Sequence, residues 1–160
     1  MNRRIESIRN PRKLLIELTK GLSIEQLNKV PTGFNNNIIW NMGHLIAAQE
    51  GICYKRSGLE LKTDESFFHS YKPGSKPEGF VDSEDAEKIK TLLFSTLDEL
   101  ETDYNAGIFT NYTSVITRYG VELSNIEDAI NFLPFHEGLH IGLYISIEKV
   151  SFLMTIEPLY

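Results

Sequence analysis

Phe132-Leu133-Pro134-Phe135-His136-Glu137-Gly138-Leu139-His140-Ile141-Gly142 lies inside a longer segment, Ile126 to Val150, whose apolar residues recur at helical spacing. At about 100° per residue, Ala129, Phe132, Leu133, Leu139, Leu143, Ile147 and Val150 share one face, and His136 and His140 fall in the middle of it. An apolar core rejects an imidazole that has no partner. Two imidazoles four residues apart are neighbours at roughly 5–6 Å between Cβ atoms, so their nitrogens can turn to one shared point. That is a chelating geometry for a metal ion. Pro134 removes one backbone donor and clashes with the Ile130 carbonyl, which predicts a kink or restart just before His136. Gly138 and Gly142 fall on the opposite face, where missing side chains allow another element, in this chain or a second copy, to come close.

Reading outward, Ser124-Asn125-Ile126-Glu127 is a capping box that opens this last helix. Before it, residues 105–123 mix β-branched, aromatic and Asn/Gly residues and fit an extended crossover with room for a short hairpin. Ser83 caps a helix running to about Tyr104, with Ile89, Leu92, Leu93, Thr96, Leu97 and Leu100 at spacings of three and four. Leu59 to Phe80 has no sustained period, holds Pro73-Gly74, Pro77 and Gly79, and reads as a long aromatic loop of the kind that often covers a site. His69 in that loop reads as a surface residue.

Ile38 to Ser57 is apolar on nearly all sides, with Asn37 as N-cap and Gly58 as stop, which marks a central helix. One face carries Ile38, Met42, Leu45, Ile46, Ile52 and Cys53, whereas His44 lies on the other among Trp40, Ala47, Ala48 and Gly51. Small neighbours around a histidine leave room for a cavity. Ser23-Ile24-Glu25-Gln26 caps a short helix that ends before Pro31, and Asn10-Pro11 opens a first helix that Gly21 stops. Arg3, Arg4, Arg9, Arg12 and Lys13 read as a solvated edge beside Ile5, Ile8, Leu14 and Leu15. The pattern predicts an all-α four-helix bundle with a short extra helix and long connecting loops, a single domain over residues 1–160.

The formal net charge of −6 opposes binding to a phosphate backbone, so no nucleic-acid partner is expected. The single cysteine, Cys53, excludes an intrachain disulfide, and Met1-Asn2-Arg3-Arg4 leads into no signal-peptide apolar core; together these predict a cytoplasmic location. No stretch reaches the ~18 uninterrupted apolar residues of a membrane span.

A catalytic metal site commonly has three protein ligands and an open position. His44, on a buried helix and facing small residues, is the best third ligand for His136 and His140. Three imidazoles suit a divalent ion such as zinc, nickel, iron or copper. Such an ion activates water or a substrate thiol, and Glu137, about 100° from His136, is the candidate catalytic base. The residues also satisfy the H-E-x-x-H pattern of zinc peptidases, but only 20 residues follow His140 and none is histidine, which argues against a peptidase.

Trp40-Asn41-Met42-Gly43-His44-Leu45, with Glu50 after it, resembles the G-H-L segment of the DinB-like superfamily, and Phe132 to Gly142 is similar to that family's H-E-x-x-H-x-G element. The resemblance implies an up-down-down-up four-helix bundle with His44, His136 and His140 as a three-histidine metal site, and it implies a homodimer. Relatives include YfiT-like metal-dependent hydrolases and bacterial low-molecular-weight-thiol S-transferases. The expected function is a metal-dependent hydrolase or thiol S-transferase acting on a small molecule, against the alternative of a non-catalytic metal-binding, ligand-binding or protein-interaction bundle.

Overall fold

The computed structural model describes residues 3–153, with side chains described as far as Ile147, so Val150 of the expected apolar face lies outside them. Its helices are α1 (Arg3–Thr19), α2 (Ile24–Asn28), α3 (Ile38–Cys53), α4 (Glu65–Tyr71), α5 (Ser83–Asn105) and α6 (Ile126–Leu153). A 3-10 turn, Lys55–Ser57, follows α3, and the short strands β1 (Val115–Ile116) and β2 (Glu122–Leu123) pair antiparallel. The expected all-α bundle is what forms. No helix among the described residues is long and apolar enough to cross a membrane.

Side-chain pairs give the helix directions. Arg9 meets Asp98 and Arg12 meets Leu93, so α1 and α5 run antiparallel. Gln49 meets Thr96 and Tyr54 meets Asp103, so α3 and α5 run parallel. Asn41 meets His140 and His44 meets His136, so α3 and α6 run antiparallel. The four long helices therefore go up, down, down, up.

The core falls into two apolar clusters. One gathers Leu15, Met42, Leu45, Leu93 and Tyr144, the other Ile5, Ile8, Cys53, Leu97 and Leu133. Arg12, Gln49, Thr96 and Glu137 sit between them along their helices, forming a buried polar layer across the bundle. Each needs partners at that depth. Arg12 finds them on every other long helix: Nη1 donates to the Leu93 carbonyl at 2.8 Å, Nη2 to the Leu45 carbonyl at 3.2 Å, and Nε and Nη2 to Glu137 Oε1 at 2.9 and 2.7 Å.

Several local expectations change. α1 begins at Arg3, ahead of Asn10, and carries Pro11 internally. Arg12 is no solvated edge: it shares the register of Ile5, Ile8, Leu15 and Thr19 and is fully buried. The aromatic loop contains α4, capped by Asp64, whose side chain accepts from the Phe67 N–H at 2.7 Å. The cap of α5 is Asp82 in place of Ser83. At α6, Asn125 Oδ1 accepts from the Asp128 N–H, so Asn125 takes the capping place predicted for Ser124, and Asp128 Oδ2 accepts from the Ser124 N–H. α6 is helical throughout despite Pro134. A Cβ on Gly138 or Gly142 would meet nothing within 4 Å among the described residues, so no described element packs against them.

Candidate metal centre

The antiparallel α3–α6 contact brings three histidines together. One ring nitrogen from each of His44, His136 and His140 lies within 4.8 Å of the others, and the ring centroids are 4.6 to 5.3 Å apart.

Two of the rings have their tautomers set by neighbours. His44 Nδ1 lies 2.7 Å from the Tyr71 carbonyl oxygen, which only accepts, so Nδ1–H donates and Nε2 keeps its lone pair. Asn41 Nδ2 donates to the Asn37 carbonyl at 2.7 Å, which turns Asn41 Oδ1 toward His140 Nδ1 at 2.8 Å and leaves that Nε2 free in the same way. Ligating histidines commonly carry such a partner on the second nitrogen. His136 differs: its Nδ1 is buried with no hydrogen-bond partner. An unmet polar atom at that depth costs about 1–3 kcal/mol.

Packing holds the His44 end in place. Trp40 stacks on His44 with centroids 4.8 Å apart and an interplanar angle of 12°, and its Nε1 donates to the Ser70 carbonyl at 3.1 Å. Gly43 is required here, because a Cβ would clash with the Tyr71 ring, within 2.7 Å of its atoms. Its absence lets α4 close on α3 and puts the Tyr71 carbonyl at His44.

The electrostatics suit metal ligands. Burial, opposed by the Tyr71 hydrogen bond and reinforced by the Arg118 charge, holds His44 below the ordinary imidazole value. Burial and the neighbouring rings take His136 down to about 3 and His140 down to about 2. All three are therefore neutral at physiological pH, the form that coordinates. The three nitrogens lie within 4.8 Å of one another, so a divalent ion held by them would draw the rings somewhat closer together.

The cluster opens on a cavity of about 1010 Å³. On α3 its wall is Trp40, Ala47, Ala48 and Gly51, the small-residue face beside His44, while Phe68 and Gly74 come from the aromatic segment. Among the described residues that line it there is no aspartate or glutamate.

The sequence model of the DinB superfamily matches residues 8–144. The chain belongs to the DinB superfamily. No curated protein matches it.

In this DinB-superfamily chain Glu137 stands apart from the histidines expected to share its chemistry. Its side chain is fully buried, it does not line the cavity, and Oε1 is held by Arg12 while Oε2 has no partner. Burial raises its carboxyl above the ordinary value, and the Arg12 guanidinium opposes the shift. The α6 phase explains the placement: one residue beyond His136 the helix has turned from the cavity toward α1.

Neither Glu50 nor Cys53 closes the site. Glu50 accepts from the Lys62 and Thr63 N–H groups at 2.7 and 2.8 Å and from Thr63 Oγ1 at 2.5 Å, pinning the chain after the 3-10 turn. Cys53 is fully buried and burial pushes its thiol up, so it is no nucleophile. His69 is exposed, with Nε2 3.5 Å from Glu65. Asn41 and Arg12 carry roles that the sequence reading did not assign, although each is a polar residue in the register of an apolar face.

Proposed function

We propose that this DinB-superfamily chain is a metal-dependent thiol transferase, in which His44, His136 and His140 hold a divalent ion, zinc, nickel or iron, beside a small-molecule substrate. The observation that carries the reading is the three neutral imidazoles, two with their tautomers fixed by Tyr71 and Asn41, facing a cavity of about 1010 Å³. A divalent ion held by these three imidazoles would supply Lewis acidity that makes a thiol or water beside it more acidic.

Thiol transfer is favoured over hydrolysis by the carboxylates. In H-E-x-x-H hydrolases the glutamate takes the proton of the attacking water. Glu137 is buried against Arg12, and no acidic residue lines the cavity among the described residues. A thiol, far more acidic than water, needs no such base. The thiol proton leaves to solvent, the sulfur forms a bond to an electrophilic carbon, and the leaving group departs with its bonding pair. The apolar wall, including Phe68, Phe132 and Leu139, offers packing surface for the carbon skeleton of the electrophile. Glu137 is a positioning residue in this reading: Arg12 grips its side chain and the Leu45 carbonyl, each one residue beyond a histidine.

We also propose a homodimer in the cytoplasm. Among the described residues the flank of α6 formed by Phe135, Gly138, Gly142 and Ile145 is open, with Phe135 49% and Ile145 36% exposed.

The test is consumption of a small thiol, cysteine, with an alkyl bromide by the zinc- or nickel-loaded chain, beside hydrolysis of a phenyl ester. Thiol consumption with bromide release, lost on chelation and in His44→Ala, is expected. Ester hydrolysis without thiol consumption, or thiol turnover unchanged in His44→Ala, would overturn the reading.

A further inference from the structure

The chain carries 22 acidic against 16 basic residues, yet the charged side chains that line its main cavity are Lys55, Arg56 and Arg118, with no acid among the described residues there. They come from two separate elements, the 3-10 turn after α3 and the loop joining β1 to β2. None forms an ion pair with a carboxylate among the described residues. Lys55 Nζ lies 4.6 Å from the Phe68 ring centroid and the Arg118 guanidinium 5.3 Å from that of Tyr119, contacts that orient a cation without neutralising it. Arg56 is half-buried, and its backbone carbonyl accepts from the Thr113 N–H at 2.7 Å, which ties the turn to the segment leading into β1.

Arg56, half-buried and without a carboxylate partner among the described residues, keeps its charge available to an anion in the cavity. Charges of one sign in a cleft also raise the local concentration of the opposite sign. Arginine pairs in a planar fork with carboxylate or phosphate oxygens, which water does not reproduce. Arg118 also disfavours protonation of all three imidazoles, so its charge is felt at the histidine cluster itself.

We infer that Lys55, Arg56 and Arg118 form an anion subsite in the histidine cavity, so that the molecule handled there carries a carboxylate or a phosphate beside its reacting group. The inference rests on the proposed function only for the chemistry at the histidines; anion binding stands on the three cations. The intervening apolar wall, with Ile52, Phe68 and Leu139, fits a carbon skeleton between the two ends.

The test is an NMR titration of the metal-free full chain at low salt with succinate, inorganic phosphate and neutral succinamide. Saturable shifts at residues 55–56 and 117–119 are expected with succinate or phosphate and not with succinamide; the stronger of the two anions identifies the group. Arg56→Gln and Arg118→Gln are each expected to weaken that anion about tenfold, with Arg118→Lys recovering part of it. Arg118 is exposed, so its substitution leaves the fold intact. Equal shifts with succinamide, unchanged affinity in both glutamine variants, or no saturable binding of either anion would overturn the inference. His44→Ala, with metal content measured in parallel, separates the two readings: anion binding kept while the parent binds no metal overturns the metal centre alone, and the reverse overturns the anion subsite alone.

Discussion

His136 and Glu137 are adjacent, yet they belong to two regions built on opposite rules. On the α3–α6 face, His136 joins His44 and His140 beside an open cavity with cationic walls. On the interior side, Glu137 joins Arg12 in a layer closed on all sides, where Arg12 ties α1 to α3, α5 and α6. The first region has its unpaired imidazole nitrogens beside a cavity, as a site for a ligand must, whereas the unpaired Glu137 Oε2 and Gln49 Oε1 of the second are enclosed by protein. The second uses its hydrogen bonds to fix the helices. A short motif that spans both does not assign one chemistry to its residues, because each step of about 100° around a helix changes what a side chain faces.

The largest effect separating the two regions is expected at the closed layer. Arg12→Ala leaves the Glu137 carboxylate buried without its partner and is expected to lower unfolding free energy by about 3–5 kcal/mol, measured by urea unfolding. The double variant Arg12→Met with Glu137→Leu is expected to be more stable than Arg12→Ala, since no charge is stranded. A loss of under 1 kcal/mol in Arg12→Ala would show that the layer does not hold the bundle.

On the open side the support of the rings is tested next. Asn41→Ala removes the acceptor of His140 Nδ1–H, and losing such a partner typically weakens metal affinity about 10–100-fold. Competition with a chromophoric chelator reads this directly. Unchanged affinity would remove Asn41 from the centre.

A smaller effect distinguishes the regions by pH. His136 and His140 have folded-state values of about 3 and about 2, below the ordinary imidazole value, so the unfolded chain binds their protons more readily. Their contribution is intact above about pH 6.5 and is lost as pH falls from there toward the folded values. Glu50 and Glu137 are shifted upward, with the opposite sign, so the comparison is made within one substitution. The metal-free parent is expected to lose more stability between pH 7 and 5 than His140→Gln. Parallel pH profiles would contradict the placement of His140.

The bundle was legible because its apolar spacing is regular: α3, α5 and α6 lie close to where Ile38, Ser83 and Ile126 predict them. The three histidines were legible because imidazoles in apolar positions ask for a shared partner, and the small residues around His44 do line a cavity. The side to which Glu137 turns was not legible, because its partner Arg12 lies 125 residues away and its place in the Ile5, Ile8, Leu15 register was read as solvated. α4 was missed because a seven-residue helix has too few turns to show a period, although Asp64 marks its start. Tyr71 could not be found from its side chain, since it orients His44 through a backbone carbonyl.

Metal content at equilibrium tests the central claim most directly. The full chain, His44→Ala and Glu137→Gln are dialysed against zinc and against nickel and analysed by mass spectrometry. About one ion per chain is expected in the parent and in Glu137→Gln, with loss in His44→Ala. No bound ion in the parent, or equal binding in His44→Ala, would contradict the three-histidine centre.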